Sequence, residues 1–286
     1  MARHTSFRVG GPAEALVRPK TLEELTRLTG LCQDHQISYM IVGGGTNLLV
    51  RDHGIRGVVI LLTWGFKEIE EVGRDGNGVI IRGMAGAETR SLCAYALRKS
   101  LEGMNFALGI PGTIGGAIMM NSGTGIDWIS EVICSIEVLE PTGAVRRYSR
   151  KELRFSYRRL EWKTRDLPVI LSGFFKLHPT DGDRLRTDAA RIVKDRRIKQ
   201  PIGNPSAGCF FRNPASGKSA GALIDAAGLK EVCIGGAKVS SKHANFIINA
   251  GNATAADILS LSEKIRKTVF DRFGVMLEPE VKVVGY

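Results

Sequence analysis

Val42-Gly43-Gly44-Gly45-Thr46-Asn47 is the stretch on which the fold of this chain turns. It follows directly on the apolar run 37–42, and a second such run, 58–62, comes after it, so the glycines stand in a loop flanked by two buried strands. Upstream, Thr21-Leu22-Glu23-Glu24 has the capping-box form, and Leu22, Leu25, Leu28 and Cys32 recur at helical spacing. That predicts a helix over roughly 21–35 and a βαβ-like opening. Three consecutive glycines permit conformations and backbone approaches that a Cβ forbids, and successive amides in such a turn can cradle a phosphate. A tight turn between packed strands accounts for the same residues equally well.

A second loop, Gly109-Ile110-Pro111-Gly112-Thr113-Ile114-Gly115-Gly116-Ala117, combines a rigid Pro-Gly turn with closely spaced glycines and could also face a diphosphate. Neither loop has the GxGxxG spacing of a dinucleotide fold, which disfavours an ordinary Rossmann site. Gly217-Lys218-Ser219 imitates the end of a P-loop, but Arg212 stands where the earlier glycine is required, so a helix start is the better account.

Beyond the loops, the spacing predicts a strand near 79–82, a helix near 88–100, a hairpin of 132–140 and 145–149 through Pro141-Thr142-Gly143, and a strand over 170–177. A basic helix over 181–199 follows. The last hundred or so residues alternate again: a helix at 220–227, strands near 232–239 and 246–249, a long helix after Thr254 stopped by Gly274, and a final strand at 276–284. This order argues an α+β architecture rather than one doubly wound sheet. The composition changes near 178, which places a domain boundary there.

The length of 286 residues suits two domains, and the 43% hydrophobic and 24% charged residues are ordinary for a globular protein. No apolar run approaches the roughly 18 residues of a membrane span, and the first residues have no apolar signal segment, so a cytoplasmic protein without membrane insertion is expected. Five cysteines without CxxC spacing fit neither a disulfide framework nor a zinc site, and the five histidines show no ligand spacing; no metal is expected. A formal charge of +11 points to anionic partners. The basic residues are spread along the chain and aromatics are only 7%, which disfavours nucleic acid and leaves phosphorylated small molecules or a membrane surface.

Three further segments carry reactive groups. Ser206-Ala207-Gly208-Cys209-Phe210-Phe211-Arg212-Asn213-Pro214 sets Cys209 ahead of two aromatics, as a positioned proton donor or as a small buried hydrophobe. Leu277-Glu278-Pro279-Glu280-Val281-Lys282 puts two acids on one face of a regular strand, or on a solvated strand end. Tyr157-Arg158-Arg159 lies in a basic stretch that reads, by itself, as a charged loop.

In this order, together with Thr5-Ser6-Phe7-Arg8-Val9-Gly10-Gly11-Pro12-Ala13 at one end and Phe155-Ser156-Tyr157-Arg158 in the middle, these segments resemble the UDP-N-acetylenolpyruvoylglucosamine reductase family over nearly the whole chain. The resemblance implies a flavin-binding fold of the vanillyl-alcohol-oxidase flavoprotein type. Its two α+β subdomains would span 1–178, split near 63, with an α+β substrate-binding domain over 179–286 whose last strand, about 275–286, returns to the flavin site. It implies non-covalent FAD, NADPH as electron donor, and reduction of UDP-N-acetylglucosamine enolpyruvate to UDP-N-acetylmuramate by a monomer. The basic excess then answers to diphosphates and carboxylates.

The same resemblance assigns residues. Gly43, Gly44, Gly45, Thr46 and Asn47, with Ile110, Pro111, Gly112, Thr113, Gly115 and Gly116, would bind the cofactor. Arg158 would polarise the substrate carboxylate, Glu280 would stabilise the developing enol species, and Cys209 falls where the family usually has the serine that protonates C2. Tyr157, Lys199, Asn213 and Lys230 look like substrate-binding residues. No inserted tyrosine loop is evident between Tyr157 and Cys209, as in the shorter subtype, and relatives carry a segment upstream of the first motif, at which this sequence almost begins. Two other readings use the same features: an FAD-dependent oxidase of a sugar or alcohol, against which no histidine or cysteine for covalent flavin attachment stands in either glycine loop, and a non-catalytic anion-binding module.

Overall fold

In the computed structural model, which describes residues 1–124, 127–162, 167–215 and 217–286, the chain forms two compact units. One comprises Met1–Glu14, Gly45–Arg56 and Asp195–Tyr286; the other comprises Ala15–Gly44 and Gly57–Lys194.

The second of these holds two sheets. In the first, strands Ala13–Val17, Ile55–Leu61 and Tyr39–Val42 lie side by side in that order, the last two parallel with Tyr39 opposite Val58. The helix Leu22–Asp34 stands close to where it is expected and joins Ala13–Val17 to Tyr39–Val42, while the parallel strands are joined by 43–54, which begins with the first glycine loop. Thr21 caps it by accepting from the Glu24 amide, while the Glu24 carboxylate reaches past Thr21 to the Lys20 amide at 2.7 Å. The other sheet is antiparallel: Ile69–Asp75, Gly78–Met84, Val169–Pro179, Ile133–Leu139 and Val145–Ser149, with Leu101–Glu102 on the far end of the long strand. Its central strand Val169–Pro179 is buried for most of its length because the core and the helix Ile114–Met119 pack on it. The strand Ile69–Asp75 carried no pattern to find: it is an exposed edge rich in acids.

The boundary expected near 178 falls inside this unit, which continues to Lys194. The helix Gly182–Lys199 explains why: Ala189 belongs to the unit's core, and Ile192 and Val193 pack against it.

The unit formed by the two amino-terminal segments and the carboxy-terminal part centres on a four-stranded sheet, in the order Ser206–Cys209, Phe246–Asn249, Ala237–Val239, Cys233–Ile234. The single strand expected at 232–239 is in fact a hairpin with Cys233 opposite Lys238, because Gly235 turns the chain at φ 53°. The helix Ala255–Phe273 buries Ile258, Leu261, Ile265 and Val269, begins in a capping box of Thr254 and Asp257, and ends at Gly274 with φ 67°. The expected final strand is shortened to Lys282–Val284, which pairs in parallel with Leu48–Val50, the strand directly after the first glycine loop. Phe7 and Val9 of the first motif lie in this unit's core, and the Phe7 carbonyl accepts from Asn249 Nδ2 at 3.1 Å. Among the described residues no helix is long and apolar enough to cross a membrane.

Candidate functional site

The two glycine loops meet. A Cβ on Gly43 would stand 2.1 Å from Thr113 Oγ1, so the first loop passes the second at a distance only glycine allows. The second loop turns through Gly109 and Gly112, at φ 77° and 123°, and Thr113 then caps the short helix Ile114–Met119 by accepting from the Gly116 amide. The Ile114 and Gly115 amides donate to the Ala87 and Ala85 carbonyls at 2.8 and 2.9 Å. These amides are therefore committed to the fold, and Gly115 is buried with its Cα against Ala85. Gly44, Pro111 and Gly116 are exposed, while Gly43, Ile110 and Gly112 are half-buried. The outer surface of the paired loops is thus largely backbone without side chains, which fits close approach of a diphosphate such as that of FAD.

The first loop changes units midway. Gly45, Thr46 and Asn47 belong with the carboxy-terminal part. Gly45, at φ 60°, accepts at its carbonyl from the Ser6 amide, and Asn47 donates through Nδ2 to the Glu280 carbonyl at 3.2 Å while its own carbonyl accepts from the Lys282 amide at 3.1 Å. Asn47 therefore anchors the 278–282 segment.

Tyr157 and Arg158 form the turn of a small hairpin, Arg154–Ser156 against Arg159–Glu161, and not an open charged loop. Arg158 has φ 57°, unusual for a side chain without glycine's freedom. Its Nη1 donates to the Gly123 carbonyl at 2.9 Å, and its guanidinium lies 5.2 Å from the Trp128 ring and 5.5 Å from the Tyr157 ring. Those two rings meet edge to face. The cation is half-buried in an aromatic jacket, which removes part of its water and strengthens its field toward a carboxylate.

In the other unit, Cys209 ends the strand Ser206–Cys209 opposite Phe246 and is half-buried. Gly208, at φ 78°, and a register shift kink the strand just before it. The next residues are gripped from both sides. Asn245 accepts from the Phe210 amide at its carbonyl and from the Phe211 amide at its Oδ1, and donates through Nδ2 to the Phe211 carbonyl, at 2.7, 2.9 and 2.8 Å. On the opposite side the Glu280 amide donates to the Phe210 carbonyl, and the Arg212 amide to the Glu278 carbonyl. Phe210 and Phe211 are fully buried, with Phe7 against Phe210. The half-buried Glu280 is thereby fixed by its backbone to the residue next to Cys209.

The remaining predicted residues are placed as follows. Asn213 is exposed and accepts at Oδ1 from the Ala220 amide, so it shapes the entry to helix Ala220–Ala226. Lys230 is ion-paired with Asp225 at 2.7 Å. Lys199 is the exposed last residue of Gly182–Lys199. Tyr157 is 42% exposed. Asn121, Trp128 and Asn245 escaped the reading of the sequence because what marks them is burial or a ring contact between segments distant in the chain.

The chain matches two family models. Residues 13–149 match an FAD binding domain, and residues 200–284 match the UDP-N-acetylenolpyruvoylglucosamine reductase C-terminal domain. A UDP-N-acetylenolpyruvoylglucosamine reductase of Desulfosudis oleivorans is 46% identical over all of this chain and 93% of its own length. One of Clostridium botulinum is 41% identical over all of this chain and 91% of its own. The crystal structure of the UDP-N-acetylenolpyruvylglucosamine reductase of Thermus caldophilus superposes with a TM-score of 0.83 at 35% identity, over 99% of this chain and 97% of that one. With glycine loops, cation, thiol and carboxylate all borne on a scaffold matched from end to end, this chain belongs to the UDP-N-acetylenolpyruvoylglucosamine reductase family.

Proposed function

We propose that this chain reduces UDP-N-acetylglucosamine enolpyruvate to UDP-N-acetylmuramate, a precursor of peptidoglycan, with NADPH as electron donor and non-covalent FAD. FAD, held by the glycine loops at 43–47 and 110–116, would supply the two-electron chemistry that links NADPH to C3 of the enolpyruvyl ether. The protein's own task is to make C3 electrophilic, to supply the proton at C2, and to keep both groups aligned.

Arg158 faces the substrate carboxylate. Its guanidinium is a fork suited to a carboxylate and holds the negative charge that spreads from C2 as hydride arrives. Cys209 gives the proton to C2; a thiol can donate near neutral pH, and the half-reaction with NADPH has no use for it. Glu280, held beside Cys209 through Phe210, stabilises the enol form before that proton arrives. Tyr157, Lys199, Asn213 and Lys230 bind the UDP-sugar. The unit that carries Gly43 and the second glycine loop binds FAD, and the residues after 195 bind the nucleotide sugar, with the last strand beside the first loop.

The observation that carries the assignment of residues is the bond from the Glu280 amide to the carbonyl of Phe210, the residue after Cys209, in a chain whose family is established. The test is anaerobic absorbance. The purified protein should be yellow, NADPH should bleach it, and UDP-N-acetylglucosamine enolpyruvate alone should restore the colour. If only oxygen restores it, the protein is an oxidase; if the protein stays colourless after incubation with FAD, it is neither enzyme.

A further inference from the structure

We infer that Asn121 is the positioning residue for Arg158, tying the second glycine loop to the cation that polarises the substrate. The inference rests on the role proposed above for Arg158.

The helix Ile114–Met119, which starts at Thr113 in that loop, ends in a Schellman turn. The Asn121 amide donates to the Ile118 carbonyl and the Ser122 amide to the Ala117 carbonyl, with Asn121 at φ 40° in the position glycine usually takes. Glycine would make this turn at less cost, so the turn alone does not call for asparagine. The side chain has separate work. Asn121 is 6% exposed, and both ends of its amide are satisfied: Nδ2 donates to the Ser156 carbonyl at 3.1 Å, and Oδ1 accepts from the Ser130 amide at 3.2 Å.

Those two partners belong to the two arms that hold Arg158. Ser156 immediately precedes the Tyr157-Arg158 turn and pairs with Arg159, so Asn121 grips the hairpin at its tip. Ser130 closes the other arm, the segment that offers the Gly123 carbonyl to Arg158 Nη1 and the Trp128 ring to its guanidinium. That arm is itself tied back by the Ile129 amide to the Ser122 carbonyl and by the bridge between Gly123 and Trp128. A left-handed arginine persists only where its surroundings over-determine it, and Asn121 is the buried group at which both sets of constraints converge.

Asn121→Gly is the direct test, because it keeps the turn and removes both side-chain bonds. It is compared with Arg158→Ala and with the double variant, by stopped-flow absorbance on each half-reaction. Asn121→Gly should slow recovery of the flavin colour by the UDP-sugar by about 10- to 100-fold, leave reduction by NADPH within about twofold, and cost nothing further once Arg158 is alanine. Equal slowing of both half-reactions, no slowing, or a full additional loss in the double variant overturns the inference alone. An Arg158→Ala enzyme with normal recovery overturns the role of Arg158 and the inference with it. If Asn121→Gly does not fold, Asn121→Asp, which keeps the acceptor for Ser130 and loses the donor to Ser156, is read by the same outcomes.

Discussion

The Phe210 carbonyl accepts the backbone amide of Glu280 at 2.8 Å, so the residue next to Cys209 and the acid expected to work with it share one short bond. Asn245 grips Phe210 and Phe211 from the other side, and the two phenyl rings are fully buried. The segment after Cys209 and the segment that carries Glu280 are thus held together by backbone bonds and the Phe211–Pro279 bridge, so the geometry proposed for the thiol and the carboxylate rests on fixed main chain.

The first prediction follows from this mounting. Replacing Cys209 by alanine should leave Phe210 and Phe211 where they are, since both are fully buried and held by backbone bonds and by Asn245. What is lost is the proposed proton donor, so recovery of the flavin colour by the UDP-sugar should slow by about 10²- to 10⁴-fold while reduction by NADPH is nearly unchanged. Cys209→Ser should retain a substantial fraction of activity, because a hydroxyl also donates. Stopped-flow absorbance measures both halves; an alanine variant with normal recovery would mean that Cys209 is packing.

Gly43→Ala should cost FAD rather than catalysis. The added Cβ would meet Thr113 Oγ1 at 2.1 Å, and Thr113 is 2% exposed with nowhere to retreat. The loops must part, and the helix Ile114–Met119 loses the hydroxyl that caps it. The expected result is protein that purifies with little flavin and needs added FAD for activity, read from the ratio of absorbance at about 450 nm to that at 280 nm. Gly116→Ala is the contrast: its Cβ would lie 3.5 Å from the same oxygen, an ordinary contact, so the loops stay paired. Equal flavin content in Gly43→Ala and wild type would show that the approach of the loops is not needed.

How far the sequence discloses this molecule depends on whether the deciding interactions are local. Thr21, Thr254 and Gly274 act within one turn of their helices, and those helices stand close to where spacing and caps put them. At 232–239 the local signal is also present, since Gly235-Gly236 make the two-residue hairpin turn that splits the expected single strand. The strand Ile69–Asp75 is invisible: as an exposed edge it has no buried face to impose alternation. At the site, the glycine loops and the Cys209 segment stand out by composition. The grips of Asn121 on Ser156 and of Asn245 on Phe211 join residues about 35 positions apart, and nothing in the neighbourhood of either asparagine betrays them.

Asp52 should matter for stability and not for chemistry. Its two carboxylate oxygens accept from the Ala255 and Ala256 amides at 2.8 and 2.9 Å, at the start of the long helix Ala255–Phe273. The negative charge faces the positive end of the helix, and two amides that lack intrahelical partners are satisfied. Asp52→Asn removes the charge and one acceptor, and should destabilise by about 1 kcal/mol. Urea unfolding measures it, with flavin content and both half-reactions unchanged; an unaltered midpoint would show that Thr254 and Asp257 suffice as caps.

The final prediction concerns pH. His243 is half-buried, its ring 4.9 Å from that of Phe246, and its Nδ1 accepts from the Asn245 amide at 3.2 Å. Burial, and then the positive charge of Lys230, hold its pKa below the ordinary 6.5. The sign follows from proton counting. As pH falls through 6.5 the unfolded chain takes up a proton at this residue and the folded chain does not, so the unfolded state gains and stability declines until the folded pKa is reached. The carboxylates Glu152, Asp181 and Asp257 have lowered pKa values from ordinary values of 4.5, 3.8 and 3.8, so their contributions are lost only in more acid solution. The two windows are separable. Urea midpoints measured between about pH 7.5 and 5.5 should fall for the wild type, and the fall should be shallower in His243→Gln, which cannot titrate. Once the pH falls below the folded pKa, protonation at Nδ1 would also remove the acceptor for the Asn245 amide and should loosen Phe211, seen as faster amide hydrogen exchange over 209–212 relative to the helix Ala255–Phe273 once the intrinsic pH dependence is divided out. An identical slope in the glutamine variant would assign the fall to other groups.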